Sequence, residues 1–176
     1  MRAYVGLLMA AGALLLPETQ AVQACGDKFL LVGRGVTFHR AYAAVYPASI
    51  LIYAQPQRNA AKAIRDPRLQ AELKLAGHSV ALVENDEALV RALEAGGVDL
   101  VLTDVADADR TSKRTEVSPA RPAVIPVMYE PTKEEAKDVE ARYQCRLKSS
   151  DRVDRYLTTI DDKMKARVDQ RKKRAS

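Results

Sequence analysis

Tryptophan is absent from this sequence, and phenylalanine occurs only twice. The core must therefore be aliphatic, assembled from Ala, Val, Leu and Ile. Only two cysteines are present, Cys25 and Cys145. That number excludes a disulfide-rich scaffold, although it permits one bridge. The two histidines, His39 and His78, lack partners at metal-ligand spacing, so no metal site is expected from them. Disorder is excluded as well. Of 176 residues 47% are apolar, enough for one domain with a proper core.

What is present begins with an address. Met1 and Arg2 form a short positive region, residues 3–17 an uncharged apolar one, and Pro17-Glu18-Thr19-Gln20 breaks it. Val22-Gln23-Ala24 offers small or modest residues where a signal peptidase reads. This layout predicts a secretory signal over residues 1–24, since the apolar run is too short for a comfortable membrane span. The mature chain is expected to be exported, periplasmic or secreted. Cleavage after Ala24 would leave Cys25 first, which resembles the lipobox of bacterial lipoproteins and would imply a lipid anchor there. Gln23 is an unusual residue for that motif. The competing reading, which is preferred, is a Cys25–Cys145 disulfide, because an exported protein can keep one. Closing a loop of about 120 residues is worth on the order of 4–5 kcal/mol in the chain-entropy model.

Residues 25–48 read as an N-terminal arm. Phe29, Phe38, Tyr42 and Tyr46 are set around Gly33-Arg34-Gly35. The glycines mark a turn; no strand, Lys-Ser/Thr pair or clean helix follows to make a phosphate loop. The arm is expected to cover part of the domain surface.

Residues 49–165 carry alternating strand and helix signals. Ile50-Leu51-Ile52-Tyr53 is a short apolar run that reads as a buried strand, and residues 80–83 and Leu100-Val101-Leu102 are apolar runs that read as the second and third strands. Between them, Asp66-Pro67 opens a helix that Gly77 ends, and Asn85-Asp86 opens another that Gly96-Gly97 stops. A fourth strand follows at residues 123–128, with Pro126 pointing to a bulge or a position near an edge. Thr132 and Glu135 form a capping box for the next helix, and residues 145–147 a short fifth strand. Val153, Tyr156, Leu157, Ile160 and Met164 give the last helix its apolar stripe. Such alternation with short connections predicts an α/β fold with a parallel sheet and right-handed crossovers.

Over residues 49–165, and most closely over residues 69–104, the chain resembles the receiver domain of bacterial response regulators. The segment LKLAGHSVALVENDEALVRALEAGGVDLVLTDV carries the receiver-like spacing nearly without gaps. The resemblance implies a flavodoxin- or CheY-like doubly wound sheet of five parallel strands, order 2-1-3-4-5, with its site at the carboxyl ends of the strands. It places Asp104 where receivers accept a phosphoryl group and Lys148 near the lysine that contacts it. It also shows departures. Receivers end their first strand in an acidic pair that helps hold magnesium; here Ala54 and Gln55 stand there, and a hard cation wants several carboxylate oxygens. The switch hydroxyl closing the fourth strand has no clear match among Met128, Tyr129 and Glu130. Magnesium and phosphorylation of Asp104 therefore belong to the alternative reading, a phosphoacceptor receiver in a phosphorelay. The preferred reading gives Asp104 a turn or cap role.

Residues 106–122 have no apolar face and contain Pro119 and Pro122. They are expected to form a polar loop in place of the third receiver helix, with the arm packed on or beside the face so uncovered. Asp104, Asp107 and Asp109 lack the glycine and distal glutamate of a calcium loop, and are expected to be solvated. Residues 166–176 read as a basic tail. Lys163, Lys165, Arg167, Arg171, Lys172, Lys173 and Arg174 face little acid beyond Asp169 and suit either a solvated helix end or an anionic envelope surface. Lack of aromatics for stacking, and export, argue against nucleic acid. Tyr53, Asp104 and Lys148 could be neighbours at the strand ends, but they supply no nucleophile, base and orienting group for catalysis. The expectation is a non-enzymatic, cofactor-free interaction or scaffolding module of the cell envelope, with a protein partner.

Overall fold

The computed structural model describes residues 42–143 and 145–175, and the side chains through Lys173. The signal segment at residues 1–24, Cys25, the arm as far as residue 41 and the Arg174 side chain lie outside the described residues.

Five strands alternate with helices in the order β1 (Ser49–Tyr53), α1 (Ala61–Ile64), α2 (Pro67–Leu75), β2 (Ser79–Val83), α3 (Asp86–Ala95), β3 (Leu100–Asp104), α4 (Val105–Val117), β4 (Ala123–Met128), α5 (Lys133–Tyr143), β5 (Leu147–Lys148) and α6 (Val153–Ala175). The strands form one parallel sheet of order β2-β1-β3-β4-β5. This is the doubly wound topology expected, and it is consistent with a CheY-like fold.

Period-two alternation divides the core between the two faces of the sheet. Ile50, Ile52, Leu100, Leu102, Ile125 and Val127 pack with α1, α2 and α6. Leu51, Tyr53, Val101 and Val124 pack with Leu89 and Leu93 of α3 and Ala108 of α4. Because β1 and β3 are buried on both faces, they read as continuous apolar runs. At the edge, β2 is mostly exposed, and β5 pairs only with Val127 and Met128. Pro126 thus has a partner on the β3 side alone, which accommodates its missing N–H.

Local chemistry fixes the helix starts. Asp66 accepts from the Arg68 N–H at 2.8 Å with Pro67 at the first helical position, and Asn85 accepts from Ala88 N–H at 2.8 Å. The capping box is reciprocal: Thr132 N–H donates to Glu135, and Glu135 N–H to the Thr132 hydroxyl. Gly77 takes φ +100°, a left-handed conformation that ends α2 without strain on a side chain.

Three expectations need correction. First, residues 106–122 do not form a loop, because Val105–Val117 is a helix of 13 residues. Its inward face is Asp107, Ala108, Thr111 and Thr115, small or polar residues rather than leucines. Asp107 is partnered by arginines, Thr115 Oγ by the Ser112 carbonyl and, just past the helix, Ser118 Oγ by the Leu93 carbonyl, while the Thr111 hydroxyl is buried without a partner among the described residues. Pro119 and Pro122 lie beyond the helix end, where proline is ordinary. Second, the described end of the arm packs on the other face of the sheet. Tyr42 and Tyr46 join the cluster of α1, α2 and α6. Asp161 of α6 holds them there, accepting from the Tyr42 hydroxyl at 2.6 Å and from the Val45 and Tyr46 amides at 3.1 Å each. Third, the basic tail is not a separate segment, since α6 continues unbroken to Ala175.

Candidate functional site

In a sheet of this order the chain leaves β1 and β3 in opposite directions, so a crevice opens at their carboxyl ends. Asp104 closes β3 there. One of its carboxylate oxygens accepts the Ala106 N–H at 2.8 Å and caps α4; the other accepts the buried Ala60 N–H at 2.8 Å, just before α1. Asp104 is 4% exposed; each of its oxygens holds one backbone amide, and the residue borders a cavity of about 340 Å³ with Asn59, Met128, Tyr129 and Arg142. The cap role expected for it is what its geometry displays.

The remainder of the crevice is a network of arginines and aspartates around a tyrosine. Arg58 grips Asp107 with two parallel bonds, Nε to Oδ2 at 2.8 Å and Nη2 to Oδ1 at 2.6 Å. Arg110, one turn along α4, donates to Asp107 at 2.7 Å and lies 3.2 Å from Asp86. Arg114 reaches Asp86 at 3.3 Å. The Tyr53 hydroxyl donates to Asp86 and accepts from the Gln55 amide. This bond from Tyr53, then Arg110 and Arg114, hold the Asp86 carboxyl below its ordinary range. Burial, then the bond to Asp86, push the Tyr53 phenol up. At 1% exposure, Asp107 is a buried carboxylate with two guanidinium partners. The expectation that it is solvated is therefore corrected: it anchors α4 to the segment after β1.

These residues do not fit a magnesium ion. Ala54 offers no ligand, Gln55 turns its amide nitrogen to Tyr53, and Asp104 spends its oxygens on amides. Arg58 and Arg110 supply the positive charge that a cation would bring to Asp107. Among the described residues no group of three His, Cys, Asp or Glu side chains could hold a metal ion.

Among the described residues no hydrogen bond or ion pair joins Lys148 to Asp104, whose oxygens take backbone amides. Across the sheet Asp104 is in register with Val127 and Leu147, while Lys148 is one residue further on beside Met128. Two strand spacings separate β3 from β5, about 10 Å. Alternation along β5 gives Leu147 the face of Asp104 and Lys148 the opposite one. The Lys148 main chain is held in place by Asp151 and by the Tyr156 hydroxyl. Of the cysteine pair, Cys145 is buried at 3% exposure, and Cys25 lies outside the described residues.

Two of the basic residues toward the C-terminus face inward. Lys163 donates to the Tyr143 carbonyl at 3.2 Å, and Arg167 to the Ala120 carbonyl at 2.6 Å and to that of Arg121. Lys165, Arg171, Lys172 and Lys173 are exposed.

The arginine network was missed from sequence. Asp107, Arg110 and Arg114 stand at helical spacing, a signal visible only once residues 105–117 are read as a helix. No family model, curated protein or solved structure matches this chain.

Proposed function

We propose that this chain is an exported, receiver-like module that is not phosphorylated and acts by binding a protein partner in the cell envelope. The observation that carries this reading is the lack, among the described residues, of cation ligands beside Asp104, which itself caps α4 and holds the Ala60 amide. A phosphoacceptor needs a free carboxylate oxygen as nucleophile and a cation to offset the phosphoryl charge. Here both oxygens accept backbone amides that open two helical segments, and arginines occupy the space beside Asp107. Non-enzymatic action is supported by the sheet register: Tyr53 and Asp104 end neighbouring strands but point to opposite faces, and Lys148 lies two strands from β3.

Export rests on the layout of residues 1–24. The bridge from Cys25 to Cys145 is supported by the absence of a free thiol among the described residues. The exposed cations of α6 suit an anionic envelope surface as a secondary contact.

The test is the intact mass of the protein from its native host, by cell fraction, with and without reductant. The reading requires an envelope or secreted species beginning at Cys25 that gains only the hydrogens of one reduced bridge. An added lipid mass would replace the bridge by an anchor. An uncleaved cytoplasmic chain bearing a phosphoryl group would overturn the proposal in favour of a phosphoacceptor receiver.

A further inference from the structure

A cavity of about 490 Å³ opens between α4, α5 and α6, beside the first residues of β4 and at the opposite end of the sheet strands from Asp104. That volume lies in the range of small-ligand sites. Its ionisable lining is Asp109 and Glu116 from α4, Arg121 before β4, Arg142 from α5, and Lys163 and Arg167 from α6. Asp109 is already committed, to the Arg142 guanidinium at 3.0 Å and to the Tyr143 hydroxyl. Arg121, Lys163 and Arg167 then face Glu116 as the remaining carboxylate of the lining.

The two α6 cations are poorly compensated. Lys163 donates to one neutral carbonyl, that of Tyr143, although an ammonium carries three N–H donors. Burial alone pushes its pKa down. Arg167 likewise hydrogen-bonds main-chain carbonyls, its Nε is buried without a partner among the described residues, and Asp99 offsets its charge only in part, since burial and Arg171 still hold its pKa down. Removing cations from water without an opposite charge costs free energy, and an anion in the cavity would offset that cost. On α6, Lys163, Ala166, Arg167 and Gln170 follow one another at helical spacing, so the helix presents a polar stripe to this cavity beside its apolar one.

We infer that the cavity between α4, α5 and α6 binds a small anion carrying more than one carboxylate or phosphate group, with Lys163, Arg167 and Arg121 as its contacts. Arg121 is exposed and guards the mouth; Lys163 is the inner charge. The site is independent of Asp104 and of whether that residue is ever phosphorylated.

The experiment is isothermal titration of the full chain with citrate, pyrophosphate and inorganic phosphate, each against chloride at matched ionic strength. Saturable binding of citrate or pyrophosphate at one site per chain is expected, and the preference between them distinguishes carboxylate from phosphate chemistry. Affinity should weaken about tenfold or more in Lys163→Met, which keeps the apolar stem. It should weaken in Arg121→Gln, which disturbs no buried bond and serves if the first variant misfolds. Arg171→Gln, outside the cavity, should bind as the parent does. Failure of every anion to saturate overturns the inference. So does binding that Arg121→Gln leaves unchanged, or that Arg171→Gln weakens equally, since an adventitious attraction to net charge would then explain it.

Discussion

Replacing Asp104 with asparagine separates a capping aspartate from a phosphoacceptor by the sign of its effect. In an acidic pocket, removing one of several clustered carboxylates relieves like-charge repulsion and stabilises the fold. Here Asp104 has no such cluster at its oxygens; it accepts the Ala60 and Ala106 amides at 2.8 Å each. Asparagine keeps one acceptor oxygen but turns an NH2 toward the other amide. The lost bond is charge-assisted, and such bonds contribute about 1.5–3 kcal/mol. The carboxylate also faces the positive end of α4, worth about 0.3–1 kcal/mol more. The expected destabilisation is therefore about 2–4 kcal/mol, which for a chain of this length lowers Tm by on the order of 10 °C. Urea denaturation followed by circular dichroism reads it as a lower midpoint with an unchanged slope. A midpoint that is unchanged or raised would refute the cap account.

Four further outcomes follow from named contacts. His78 is buried and its Nδ1 accepts the Ala48 amide, so it must be neutral in the fold; burial lowers its pKa from 6.5. A depressed folded pKa means stability present above 6.5 that is lost as pH falls through the folded value, and His78→Gln should remove that part of the acid slope in a pH series of urea melts. Asp161→Ala should cost about 1–3 kcal/mol and speed limited proteolysis near Tyr42 and Tyr46, whose donors it leaves without their acceptor. Gly77→Ala, at φ +100° with open space around it, should cost about 1–2 kcal/mol through the backbone alone, read in the same melts. At alkaline pH the sign reverses from that of His78. Burial, then the bond to Asp109, push the Tyr143 phenol from 10.0 up to about 12, and Tyr42 and Tyr156 are raised too. Stability should be full below pH 10 and fall as pH rises toward the folded values, with tyrosinate absorbance lagging behind that of the unfolded chain.

The sheet was legible in the sequence because β1 and β3 are buried on both faces, which leaves the apolar runs Ile50-Leu51-Ile52-Tyr53 and Leu100-Val101-Leu102. Helices α2, α3 and α5 were legible through Asp66, Asn85 and Thr132, whose side chains cap as their types predict. Helix α4 was not, because hydrophobic periodicity cannot register an inward face of Asp107, Ala108, Thr111 and Thr115. The same blindness hid the site. Asp107 is buried because Arg58, far away in sequence, reaches it, and no spacing rule links those positions. The arm was misplaced for a related reason. With α4 present, the face it was expected to cover is already filled, and Asp161 on α6 holds its described end, Tyr42 to Tyr46, on the other side. A turn or cap role for Asp104 was readable from Ala54-Gln55, which leave the cation site without ligands, but the helix it caps was not.

On the reading proposed, Asp104 serves structure rather than phosphotransfer. The most direct measurement is intact mass after incubating the purified chain with acetyl phosphate and magnesium, alongside Asp104→Asn. The account predicts no phosphoryl adduct on either protein. An adduct on the parent chain that disappears in Asp104→Asn would contradict it.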